Sequence, residues 1–195
     1  SFKEVEIYRK PIAEILPRFY GCREIGRTIN LYEMFGENTF GSGLFFIDGD
    51  TVNSGSYLIS GPGCHSVTYR IDDPNCGVIE STANILIAIT PKPTFDFAAD
   101  TPPSPICMDG GSVDISFMRT STGPNPVFSV TSNNPDFTPT LSGTTATLFA
   151  PTEKMSVTYS ICLTETALDP MVCPDVIVPT DFTNCTNTFC RNYTL

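Results

Sequence analysis

The sequence predicts an all-β chain built as two tandem antiparallel β-sandwiches, on three observations. The first is an internal repeat: block 51–71 ends Ser66-Val-Thr-Tyr-Arg-Ile71, and block 140–161 ends Ser156-Val-Thr-Tyr-Ser-Ile161. Both blocks lead in with Thr, a Ser-Gly turn, Leu with an apolar neighbour and Pro, apart from small insertions such as Asn53. Self-similarity of this kind marks one structural unit used twice. The second is composition: 17 Pro and 14 Gly, with abundant Ser and Thr, favour strands and turns over long helices. The third is a series of short alternating runs separated by turn signals, the pattern of a sandwich. At 195 residues the chain holds two units of about 100 residues, each enough for a small sandwich core.

The elements follow in order. Phe2, Val5 and Ile7, with charges between them, predict a strand over 1–10 that ends at Lys10-Pro11. It reads either as the final strand of a preceding domain or as a strand exchanged with a neighbouring subunit by edge addition. A first domain spans 11–90. It opens with an extended segment to Cys22, then strands at 28–35, 43–47, 56–59, 66–71 and 82–89. Turns fall at Gly41-Ser-Gly43, Asp48-Gly-Asp50, Ser60-Gly-Pro-Gly63 and Asp72-Asp-Pro-Asn75. Thr90-Pro-Lys-Pro93 ends the last strand and stiffens the join. A second domain spans 91–195, with strands at 112–117, 127–131, 145–149, 156–163 and 188–195. Between them, 167–186 carries Pro170, Pro174 and Pro179 and reads as an enlarged, cysteine-pinned loop, the best candidate contact surface. Period-2 alternation puts Val67, Tyr69 and Ile71, and Val157, Tyr159 and Ile161, in the two cores. The two tyrosines serve either as tyrosine corners or as packing alone.

Eight cysteines indicate an oxidising compartment, and none of their spacings is that of a zinc ribbon or finger. Cys22 and Cys107 stand just before the first long strand of each domain, so pairs Cys22–Cys76 and Cys107–Cys185 would tie the start of each sheet to a late loop. Each such link is worth about 3–4 kcal/mol. Cys162 and Cys190, on neighbouring strands, suit a cross-strand bridge. Cys64 and Cys173 are left to bond each other, to pair elsewhere or to stay free. The net charge of −10 excludes a nucleic-acid backbone as partner. No apolar run reaches the ~20 residues of a membrane helix. No signal peptide is legible, and the chain reads as a piece of a longer secreted protein.

The stretch from Pro62-Gly-Cys-His-Ser-Val-Thr-Tyr-Arg-Ile-Asp-Asp-Pro-Asn-Cys-Gly77 to the strand ending at Ile89 resembles the C-terminal half of immunoglobulin-like and PKD-like repeats in giant Bacteroidota surface proteins. Ile106-Cys-Met-Asp-Gly-Gly-Ser-Val-Asp-Ile115 is similar to the opening of those repeats. The chain departs from their pattern at Asn75-Cys-Gly77, where the family has Gly-Cys, and at the long loop of the second domain. The resemblance implies Ig-like sandwiches, export by the type IX system, and display as an adhesin, gliding filament or surface fibre. Its partners would be neighbouring repeats or subunits of the same fibre, or a cell-surface glycan or protein. It brings no catalytic residue.

The remaining candidates are few. Asp72 and Asp73 form the better of two oxygen-rich turns for calcium, although Asp and Asn are also ordinary turn formers. His65 is the only histidine, and no nucleophile-elbow sequence accompanies it, so no catalytic residue is assigned. The expected function is an extracellular, non-enzymatic structural or adhesive segment. The alternatives are a eukaryotic receptor or ligand fragment, which glycans at Asn184 or Asn192 would favour, and a polysaccharide-binding accessory module of a secreted enzyme.

Overall fold

A computed structural model describes residues 6–167 and 172–195. Among the described residues fourteen strands divide between two compact units, one of Ser1–Ile89 with Asp169–Thr183, the other of Thr90–Leu168 with Asn184–Leu195.

The first unit holds β1 (Arg18–Arg23), β2 (Thr28–Asn30), β3 (Leu44–Ile47), β4 (Asp50–Val52), β5 (Ser56–Leu58), β6 (Gly63–Asp73) and β7 (Gly77–Ile89). One sheet runs β1-β7-β6-β3-β4, and β2 pairs with β5 in the other. Among the described strands only β1 is parallel to its neighbour, β7. Alternation along β6 buries Val67, Tyr69 and Ile71 while Thr68 and Arg70 take the opposite face. These side chains meet Ile29, Leu31 and Ile59 from the β2–β5 side, which makes the sandwich core. Two residues, Asp48 and Gly49, join β3 to β4, and both have positive φ (51° and 93°). That is the primed hairpin turn that matches strand twist, and Asp-Gly is a preferred sequence for it.

The second unit holds β8 (Phe95–Phe97), β9 (Ser112–Arg119), β10 (Pro126–Ser132), β11 (Thr140–Ser142), β12 (Thr145–Phe149), β13 (Thr158–Thr166) and β14 (Thr186–Thr194). Its sheets are β11-β12-β9-β8 and β10-β13-β14. Taken in chain order as A to G, these are the DEBA and CFG sheets of a constant-type immunoglobulin sandwich. Ile115, Phe117 and Leu148 from one sheet pack against Tyr159, Ile161, Leu163 and Tyr193 from the other. The fold is therefore all-β and Ig-like in both units, but the repeat is not used identically. The strand that opens the block, β4 in one copy, pairs with β3; its counterpart β11 pairs with β12, in the opposite sheet.

Several expectations change. The strand expected over 28–35 stops at Asn30, whose side chain caps a 3₁₀ turn over Leu31–Met34 by accepting the Tyr32 N–H at 3.1 Å. The extended segment before Cys22 contains β1, and the short strands β4, β8 and β11 arise within turns and joins. The described part of the loop expected in the second domain lies in the first unit, because the chain returns there after β13. Of the segment 1–10, Phe2 and Val5 lie outside the described residues, while Ile7 is 91 % exposed and residues 6–10 form no strand.

Candidate functional site

The cysteines define the most constrained region. Cys162 and Cys190 face each other in the β13–β14 register and are bonded, with Cα atoms 4.1 Å apart. Cys64, near the start of β6, is bonded to Cys173 across 109 residues of sequence, and both belong to the first unit. Cys22 and Cys185 are also disulfide-bonded, whereas Cys76 and Cys107 carry free thiols. The pairs Cys22–Cys76 and Cys107–Cys185 are thus corrected, for a geometric reason. Cys22 lies where β1 meets Ile89 at one end of β7, and Cys76 precedes Gly77 at the other. The thirteen residues of β7 separate those ends by about 40 Å. Likewise Cys185 precedes the first residue of β14, while Cys107 follows Ile106, whose N–H bonds Thr194 at its last. A disulfide spans at most about 7 Å between Cα atoms.

The Cys64–Cys173 bond fixes the returning loop on the outer face of β6 and β7. Asn84 donates from Nδ2 to the Pro174 carbonyl at 3.1 Å. Phe182 stands edge-on to Phe19 of β1, centroids 4.8 Å apart. The approach between them is close: a Cβ on Gly21 would come within about 3.1 Å of both rings. Cys173 is buried, and so are Leu86 and Ala88, although neither belongs to the core between the sheets. The end of β7 from Ile85 to Ile89 is therefore apolar on both faces, as strands covered on both sides are. The loop still presents Val172 and Ile177 almost wholly to solvent. Sequence reasoning missed this packing, yet its signal was legible: Ile85-Leu-Ile-Ala-Ile89 does not alternate.

Asp48 and His65 form a close pair, Nδ1 to Oδ2 at 2.7 Å, and Asp48 also accepts the Ser66 N–H at 2.9 Å. Partial burial of Asp48 works against its charge, but these hydrogen bonds and the imidazole outweigh it and hold the carboxyl below its usual range. The buried Nε2 of His65 has no hydrogen-bond partner among the described residues.

Asp72 and Asp73 border an open groove with Pro74, Gly77 and Val78 at the β6–β7 turn. Asp72 is engaged by Arg70 at 3.0 Å, and Arg70 also reaches Glu80 at 3.5 Å. Asp73 accepts the Cys76 and Asn75 N–H groups at 2.8 and 2.9 Å, which lowers its pKa. No cluster of three acidic, His or Cys side chains suited to a metal occurs among the described residues.

No family model and no curated protein matches the chain. Among solved structures it is similar to the titin A168–A169 tandem, at 13 % identity over 92 % of this chain and 96 % of that one, with a TM-score of 0.27. It is also similar to the titin Z1Z2 domains in complex with telethonin, at 18 % identity, covering 75 % and 78 % of the two chains, TM-score 0.25. A third similar structure is the titin A164–A165 Ig tandem, at 10 % identity, covering 92 % and 93 %, TM-score 0.25. At these scores the Ig-like assignment rests on the strand order. Among the described residues no helix is long and apolar enough to cross a membrane.

Proposed function

We propose that the chain is a non-enzymatic, extracellular load-bearing segment of a surface fibre or adhesin. The observation that carries this reading is the returning loop. A stretch between β13 and β14 of the second unit is built into the first and covalently fixed there through Cys64–Cys173. A chain that only had to link two binding modules would need no such fastening. Under tension the bond shields the 109 residues between its cysteines from extension. Six disulfide-bonded cysteines suit an oxidising exterior. The resemblance to Bacteroidota surface repeats supports type IX export and attachment in series with further repeats.

Single-molecule pulling tests the mechanical part. With Cys22, Cys162, Cys185 and Cys190 all replaced by Ala in both chains, the one that keeps Cys64–Cys173 is expected to release roughly 360–390 Å less contour length than the one that also carries Cys64→Ala and Cys173→Ala. Equal lengths would sink the reading. Surface labelling of the source cells tests the location, and a wholly intracellular signal would overturn it.

A further inference from the structure

The two units treat the free edge of their last strand differently. In the first, β1 runs parallel along β7 from Arg18↔Ile85 to Arg23↔Ile89, and contributes Tyr20 to the core. In the second, the equivalent strand β14 pairs with β13 alone among the described residues. Only the tip of its outer edge is capped, where Thr194 accepts from Ile106 and donates to Ser104 Oγ at 2.9 Å. Antiparallel alternation puts the backbone groups of Thr186, Thr188, Cys190 and Asn192 on that same edge as Thr194. The Thr188 N–H is met by the Asn187 side chain at 2.9 Å, and no backbone partner stands opposite the others among the described residues. Six of the nine residues of β14 are exposed. A bare edge of this length is a template for another strand.

We propose that residues 1–10 of a second copy of this chain fill this edge, parallel to β14, and so join copies head to tail. Four observations select this occupant. The first unit already shows a parallel strand on the matching edge of the same fold. The segment runs into Pro11, which ends strand pairing there. Ile7 is 91 % exposed and unpaired in its own chain. In a strand Val5 and Ile7 share one face, next to Phe189 and Tyr193, which are packed with the second core. Direction matters too: a parallel strand delivers Pro11 at the end where β14 finishes, so the next copy continues onward. An antiparallel one would turn it back. The inference stands whether or not the chain is displayed on a cell.

The test uses the chain lacking residues 1–10 and a fluorescent peptide of sequence 1–10. Anisotropy should show the peptide binding the shortened chain. A peptide with Val5→Pro and Ile7→Pro should bind at least tenfold more weakly. Asn192→Pro, which removes an edge N–H, should also reduce binding at least tenfold while the thermal transition is kept; Asn192→Ala, which keeps that N–H, should bind as the parent does. In analytical ultracentrifugation the full chain should associate with rising concentration and the shortened chain should not. Failure of the peptide to bind, equal binding to the Asn192→Pro chain, or equal association with and without residues 1–10 would each overturn the proposal. Capture of a peptide of unrelated sequence with the same affinity would make β14 a general strand acceptor and would overturn the chosen occupant.

Discussion

Tyr69 and Tyr159 occupy matching places in the repeat but hold different things. The Tyr159 hydroxyl donates to the Phe149 carbonyl at 2.6 Å and accepts its N–H at 3.2 Å, closing the corner between β12 and β13. Tyr69 instead donates to Gly41, ahead of β3, at 3.0 Å. Tyr159→Phe is expected to cost about 1–2 kcal/mol and Tyr69→Phe about 1 kcal/mol, read from urea unfolding. Glu165 is a sharper case. It is fully buried on β13, with Arg119 at 2.6 Å from one oxygen, Ser121 on the same oxygen and the other oxygen unpartnered. Arg119→Ala would strand a buried carboxylate and should cost about 3–5 kcal/mol by the same measurement. Burial is the leading cause that raises the phenol pKa of Tyr20, Tyr69, Tyr159 and Tyr193. The unfolded chain then ionises first. Stability from these groups is whole below about pH 10 and falls as pH rises through the folded values. Tyr193→Phe should flatten that alkaline decline in a pH series of urea midpoints.

At the scale of the element, β7 and the loop fastened to it decide the behaviour. The Cys64→Ala, Cys173→Ala variant loses a closure across 109 residues, worth about 4–5 kcal/mol. Proteolysis should then cut first near the exposed Val172 and Ile177, sites that resist while the bond is intact. Strands with clean alternation were legible beforehand: Val67, Tyr69 and Ile71 are buried, and so are Val157, Tyr159 and Ile161. The short strands β4, β8 and β11 were not. Asp50–Val52 reads as part of a turn, and its pairing with β3 depends on the Asp48-Gly49 hairpin rather than on its own propensity. The mistaken cysteine pairs have a different origin. They joined sheet beginnings to late loops without counting strand length, and a strand as long as β7 puts such points at opposite ends.

For the whole molecule, the repeat explains why there are two sandwiches, and it says nothing about how the chain is threaded through them. It passes between units after Ile89, after Leu168 and after Thr183. Local pattern cannot report this, because a returning loop is recognised only by the surface it covers. Negative charge is spread through both units and no basic face is needed for the proposed role. The strand-acceptor edge was half legible: the sequence marked Phe2, Val5 and Ile7 as a donor, and only the sheet order identifies β14 as its receiver.

The threading also sets an order of assembly. A nascent chain that has emerged only as far as Pro91 lacks the residues that cover Leu86 and the sulfur that closes on Cys64. The first sandwich to be synthesised stays incomplete while most of the second is made, since it waits for residues up to Thr183. Cutting the gene at its most obvious proline boundary would yield a sticky, thiol-bearing fragment, and a chaperone or a delay in folding has work to do during synthesis.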